Sequence, residues 1–131
     1  MAEVAYLDSS ALVKTVVRER ESTALRRFLR TVPVHASSSL AVTEVLRAVR
    51  RSDAAATPKA QEVLRRIVVL ALTDDVLLEA GLLDPPELRT LDAVHLAAAK
   101  ALGDDLVAVV TYDERMAVAA ERLGFPVAAP A

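Results

Sequence analysis

The stretch LVAVVTYD, Leu106 to Asp113, decides the architecture. Leu106 to Tyr112 is apolar, rich in β-branched Val, and fenced by Asp104-Asp105 on one side and Asp113-Glu114 on the other. A run of this length bounded by charge predicts a buried strand. No Asn-Gly or Asp-Gly hairpin signal flanks it. Instead an Ala-rich helical stretch, Leu88 to Leu102, precedes it and closes at Gly103, a residue suited to terminating a helix. A second helical stretch, about Arg115 to Leu123, follows. A strand set between helices is the unit of a parallel sheet.

The same alternation extends in both directions. Upstream, Val68 to Leu72 reads as a strand and Asp74 to Leu83 as a short helix stopped by Asp84-Pro85-Pro86. Thr57-Pro58 opens another helix, with Thr as cap and Pro at the first helical position, carrying Val63, Leu64 and Ile67 inward. Ser37-Ser38-Ser39 offers hydroxyl caps for a helix to about Arg51, whose Val42, Val45, Leu46 and Val49 form one apolar stripe. Before it lies a short strand, Val34 to Ala36. Val4 to Leu7 is a four-residue strand that stops at Asp8-Ser9-Ser10. Ala11 to Val17 is helical, and Glu21-Ser22 opens a helix through Arg30 that Pro33 ends. Gly124 to Val127 leads into a last edge strand. The expected fold is α/β, a three-layer α/β/α sandwich around a mostly parallel sheet, with residues 1–131 as a single domain.

Composition narrows the class. A hydrophobic fraction of 53%, with six Pro and three Gly, excludes disorder and low-complexity linkers. Mean hydropathy is +0.33, yet charges or Pro interrupt every apolar stretch short of the roughly 18 residues a spanning helix needs. The N-terminal MAEVAYLDSS has no basic region before its apolar run, which argues against a secretory signal, and the absence of Cys is compatible with a reducing compartment. A cytoplasmic location is expected. Aromatics are 3% and Trp is absent, which argues against a platform for stacking single-stranded bases.

Open parallel sheets bind ligands beyond the carboxyl ends of their strands, near a topological switch point. Two strands end there in an acid, YLD at Asp8 and VVTYD at Asp113. Either one alone reads first as a cap for the helix that follows. Asp92 opens the helix LDAVHLAAAK, where the helix dipole stabilises a carboxylate without any function. Glu44 lies off the apolar stripe beside Leu40 and Ala48 and, taken singly, reads as a solvated Glu. His95, three residues after Asp92, reads first as a half-buried packing histidine and second as a group that reaches the site. His35 reads as structural.

Taken in order, YLDSSA, TEVLRA, LRTLDAVHLAAA and VTYDER, with AAERLGFPV, resemble the PIN-domain nucleases, and in particular the small VapC-type toxins of bacterial toxin–antitoxin pairs. The resemblance spans essentially the whole chain. It implies a PIN-like fold and divalent metal held by four acids, which fall here on Asp8, Glu44, Asp92 and Asp113, with hydroxyls at Ser10 and Thr111. It further implies RNA cleavage to 3′-hydroxyl and 5′-phosphate ends, a small VapB-type antitoxin partner, and a homodimer.

The residue chemistry is compatible. An oxygen-only donor set suits Mg2+ or Mn2+ better than zinc, and metal-assisted hydrolysis of phosphodiesters uses such a set. Crowded carboxylates are expected to repel one another and to have raised pKa values. Setting the four acids aside turns the formal charge of −2 into +2. Every basic residue except Lys14, Lys59 and Lys100 is Arg, the side chain suited to forked contact with phosphate. Arg26, Arg27, Arg30, Arg47, Arg50, Arg51, Arg65 and Arg66 read equally as solvated helix faces or as phosphate contacts. Arg89, three before Asp92, is the better single candidate for a phosphate or partner contact at the site. A haloacid-dehalogenase-type phosphohydrolase requires a second Asp where Ser10 stands, and a receiver domain requires an acidic pair and a late lysine that this chain lacks. Another metal-dependent phosphohydrolase, or a PIN-like module that only binds a partner, stays open.

Overall fold

Alternation along one short strand sets the layers. In β1 (Val4–Leu7), Ala5 and Leu7 enter one buried cluster and Tyr6 enters another, so three consecutive residues feed two cores. The structure, a computed structural model, describes residues 2–131. After β1 come α1 (Ser9–Val16), α2 (Ser22–Leu29), β2 (Val34–Ser38), α3 (Ser39–Ser52), α4 (Thr57–Arg66) and β3 (Val68–Leu70). The chain continues through α5 (Asp74–Gly81), α6 (Thr90–Lys100), β4 (Leu106–Val110), α7 (Glu114–Arg122) and β5 (Val127–Ala128), with 3-10 turns at 54–56 and 103–105.

All strand pairs are parallel, in the order β3-β2-β1-β4-β5. The chain winds outward in one direction from β1 and in the other from β4, so the switch point lies between these two neighbours, where Tyr6 faces Val109 and Leu7 faces Val110. Helices α1 to α4 cover one face through Leu12, Leu25, Val45, Val49 and Leu64. Helices α6 and α7 cover the other through Leu96, Ala99, Met116 and Ala120, with α5 packed on α6 through Ala80, Ala93 and Ala97. Each large aliphatic side chain so buried contributes about 1.5–3 kcal/mol. The expected α/β/α sandwich with a parallel sheet is what the chain forms.

Several boundaries move, each for a physical reason. Strand β2 runs on through Ser37 and Ser38, and Ser38 takes the cap position of α3 with an extended backbone but no side-chain capping bond. Both serines are fully buried and their hydroxyls find no hydrogen-bond partner, so the expected caps are strand residues instead. The helix expected from Leu88 begins at Thr90: Leu88 packs its side chain into the core but closes a turn to Pro85, and Arg89 is extended. Strand β4 stops at Val110 because Thr111 turns its hydroxyl to Asp8, although its backbone N–H still reaches Ala128 at 3.1 Å. Strand β3 ends at Leu70 rather than Leu72 and, as an edge, exposes Val68 and Val69. Helix α5 ends at Gly81 rather than Leu83. Gly124 takes the left-handed conformation (φ +85°) that ends α7, with Phe125 donating back to Ala120 at 2.9 Å. Among the described residues no helix is long and apolar enough to cross a membrane.

Candidate active site

The carboxyl edge of β1 and β4 is tied together by hydroxyls. Asp8 continues the ladder beyond β1, its N–H donating to Val110 O at 3.2 Å, and it caps α1. Its Oδ1 accepts from Ala11 N at 3.0 Å and Ser10 Oγ at 2.6 Å, and its Oδ2 accepts from Thr111 Oγ1 at 2.5 Å. Ser10 Oγ in turn accepts from Tyr112 N at 3.0 Å, and Thr111 Oγ1 from Asp113 N at 3.1 Å. The two hydroxyls that the sequence set beside the acids therefore bind the β1–α1 turn to the β4–α7 turn. Asp8 is only 5% exposed, and burial raises its pKa, with the Ser10, Thr111 and Ala11 donors opposing that rise without cancelling it.

Asp113 also plays two parts. Its Oδ1 accepts from Arg115 N at 2.9 Å and Met116 N at 3.3 Å, capping α7, while Oδ2 accepts from Arg89 Nη2 at 3.0 Å. Arg89 Nε donates to Asp92 Oδ2 at 3.2 Å, so one guanidinium bridges Asp92 and Asp113. These residues, with Glu44, Thr90 and Leu91, line a pocket of about 330 Å3. Asp8 is outside that lining. For Asp8 and Asp113 the capping reading and the shared-edge reading hold together.

Glu44 is not the solvated side chain that its sequence context suggests. It is partly buried, and its Oε1 accepts from Ser9 Oγ at 2.5 Å and from His95 Nε2 at 2.7 Å. Burial pushes its pKa up, but the His95 and Ser9 hydrogen bonds outweigh this and hold it below the usual value. His95 likewise departs from a packing role. It is 3% exposed, and its Nδ1 lies 2.7 Å from the Tyr6 hydroxyl. Burial pushes the Tyr6 phenol up to about 12. The expected mutual repulsion of crowded acids is thus not what acts on Asp8, raised by burial, or on Glu44, which is lowered. Tyr6 and Ser9 were missed in the sequence, where their one signal is a polar tip in an apolar strand and a hydroxyl directly after Asp8. His35 is structural, its Nε2 lying 2.8 Å from Leu29 O and 3.0 Å from Val32 O.

Among the described residues no group of three or more His, Cys, Asp or Glu side chains is arranged to hold a metal ion. The carboxylates are committed instead to Arg89, the hydroxyls and His95. The donor set still fits a hard divalent cation in kind: it is all oxygen, and Arg89 already places one positive charge between Asp92 and Asp113.

Fold and site together define an all-parallel α/β/α protein with an acidic pocket at the β1/β4 switch point. The PIN domain family model matches residues 5–122. Ribonuclease VapC46 of Mycobacterium tuberculosis (strain ATCC 25618 / H37Rv) is 51% identical over 125 residues, covering 95% of this chain and 96% of that one. Ribonuclease VapC47 of Mycobacterium tuberculosis (strain CDC 1551 / Oshkosh) is 38% identical with the same coverage. Among solved structures, the Mycobacterium tuberculosis toxin VapC20, described as cleaving the sarcin–ricin loop, superposes with a TM-score of 0.75 at 18% identity, over 92% of this chain and 95% of that one. A toxin–antitoxin complex from Klebsiella pneumoniae superposes with a TM-score of 0.73 at 20% identity, over 97% and 98%. The chain belongs to the PIN-domain family, in its VapC group.

Proposed function

We propose that this chain is a metal-dependent endoribonuclease toxin whose site comprises Asp8, Glu44, Asp92 and Asp113. The observation that carries this reading is that Glu44, Asp92 and Asp113, from three separate parts of the chain, line one pocket, two of them close enough to share one guanidinium. The ribonuclease names of relatives at 51% and 38% identity support the choice of RNA as substrate. Asp92, Asp113 and Glu44 would hold Mg2+ or Mn2+ at the pocket, with Asp8 as the buried carboxylate beside it. When bound, the cation supplies charge neutralisation at a phosphoryl oxygen and lowers the pKa of a water molecule.

The chain's own residues do the remainder. Ser10 and Thr111 hold Asp8 in one rotamer, and Ser9 and His95 do the same for Glu44. Arg89, half-exposed and held only by ion pairs, is free to turn toward a phosphate once a cation satisfies Asp92 and Asp113. Attack of water at phosphorus with loss of the 3′-oxygen leaves 3′-hydroxyl and 5′-phosphate ends. The test is incubation of purified protein with total RNA, with and without Mn2+, against Asp8→Asn as control. Cleavage that is indifferent to chelator and to Asp8→Asn overturns the reading.

The partner is a small antitoxin that places an Arg or Lys among the acids, as Arg89 does within the chain. A similar fold solved as a toxin–antitoxin complex supports this reading. The protein forms a homodimer, a reading supported by the leucines that α5 and the residue after it expose, Leu77, Leu78 and Leu82.

A further inference from the structure

We infer that Tyr6 and His95 act together as a tautomer lock that positions Glu44 for the cation, with His95 a positioning residue and Tyr6 the group that sets its proton. The inference rests on the metal-site reading above and adds two residues to it. The geometry is a single buried line: the Tyr6 hydroxyl lies 2.7 Å from His95 Nδ1, and His95 Nε2 lies 2.7 Å from Glu44 Oε1. Tyr6 comes from β1 and His95 from α6, and both are almost fully inaccessible. No solvent competes for either ring nitrogen.

The direction of each bond follows from the chemistry of its ends. A carboxylate offers only lone pairs, so the nitrogen facing Glu44 must carry the hydrogen. In a neutral imidazole the other nitrogen is then an acceptor, and the hydroxyl facing it must donate. The phenol is placed to do so, its hydroxyl 2.7 Å from Nδ1. Tyr6 therefore selects the tautomer in which Nε2 points a hydrogen at Glu44. Both His95 and Ser9 bind the same oxygen, Oε1, which fixes the carboxylate rotamer and leaves Oε2 uncommitted beside the pocket. Partners that orient a liganding side chain in this way are typically worth about 10- to 100-fold in metal affinity.

Packing and positioning roles rank substitutions differently. A histidine buried for its volume tolerates His95→Leu best. If its role is to donate from Nε2, His95→Gln is tolerated best, because the glutamine amide nitrogen falls near the Nε2 position, whereas the shorter His95→Asn leaves Glu44 without its donor. The experiment is direct Mn2+ binding by calorimetry and by the electron paramagnetic resonance signal of free Mn2+, on the parent, Glu44→Gln, His95→Gln, His95→Asn, His95→Leu and Tyr6→Phe, each first checked for folding by circular dichroism. The expected result is near-parent affinity for His95→Gln. His95→Asn and His95→Leu should be weaker by about tenfold or more, with Tyr6→Phe between them and the parent.

Cleavage at saturating Mn2+ should recover in Tyr6→Phe, which separates a binding defect from a damaged site. If Glu44→Gln loses Mn2+ while the His95 and Tyr6 variants bind as the parent does, the lock is refuted and the metal site stands. If the parent itself binds no Mn2+, the site reading fails and the lock falls with it. An affinity order that follows side-chain volume, with His95→Leu best, also overturns the inference.

Discussion

Replacing Thr111 with valine removes one hydroxyl and almost no volume, and two hydrogen bonds depend on that hydroxyl. It donates to the buried Asp8 carboxylate at 2.5 Å and accepts from Asp113 N at 3.1 Å. Loss of a bond to a charged group costs about 1.5–3 kcal/mol, and an amide left without its partner adds about 1 kcal/mol, so Thr111→Val should destabilise by about 3 kcal/mol. For a domain of this length that corresponds to a fall in Tm of roughly 10 °C. The cost depends on pH. Burial raises the folded pKa of Asp8, so its charge is disfavoured in the fold: the penalty is absent below the unfolded carboxyl value and grows as pH rises through the folded one. Removing a donor to the ionised form raises that folded pKa further. The difference between parent and variant should therefore be small in acid and grow as pH rises and Asp8 ionises.

The assay is thermal unfolding in chelator at pH 4 and pH 7, repeated in an Asp8→Asn background, where the cost of Thr111→Val should shrink to about 1 kcal/mol. A fall of less than about 3 °C at pH 7, or an equal fall at both pH values, refutes the reasoning.

Asp8→Asn, Glu44→Gln, Asp92→Asn and Asp113→Asn should each cripple Mn2+-dependent cleavage of RNA with circular dichroism unchanged, Asp113→Asn least; undiminished cleavage at matched metal refutes the site. Arg89→Ala should tighten Mn2+ binding measured without RNA, because the competing guanidinium is gone, and should raise KM for RNA. Its Tm should move little, since an ion pair so exposed to solvent contributes little to stability; weaker Mn2+ binding contradicts the bridging role. Sedimentation at micromolar concentration should show a dimer, reduced to monomer by Leu78→Lys, and a 14.0 kDa species for the parent refutes it. Antitoxin co-expressed from the neighbouring upstream reading frame should inhibit in competition with Mn2+, and inhibition indifferent to Mn2+ would discount the shared-cation account.

Periodicity made the layers legible because each apolar run points at a buried surface that exists. The strand from Leu106 and the stripe of Val45 and Val49 needed no tertiary information. Boundaries were less legible, because Leu88 satisfies the helical period while sitting in a turn, and Ser37 and Ser38 look like caps although the sheet claims them. At the site, the sequence reveals residue type and order, so Asp8 and Asp113 could be set at one edge. It does not reveal which side chain meets which across 51 positions, and hence Glu44 read as solvated and His95 as packing until their 2.7 Å bond was seen. Arg89 was singled out near the acids, but its bridge to Asp113 depends on how α6 and β4 lie together.

The position of the switch point has a consequence for synthesis. Strand β1 leaves the ribosome before every other described element, but its partner β4 and the acid that follows are among the last of them to be made. Until then Asp8 has neither the Thr111 hydroxyl nor the backbone of Val110, and Arg89 has only half of its bridge. A chain interrupted anywhere before Thr111 carries at most three of the four acids and lacks the Asp113 side of the pocket. The hazard of a nuclease toxin is thereby deferred until β4 and the turn that follows it have been made.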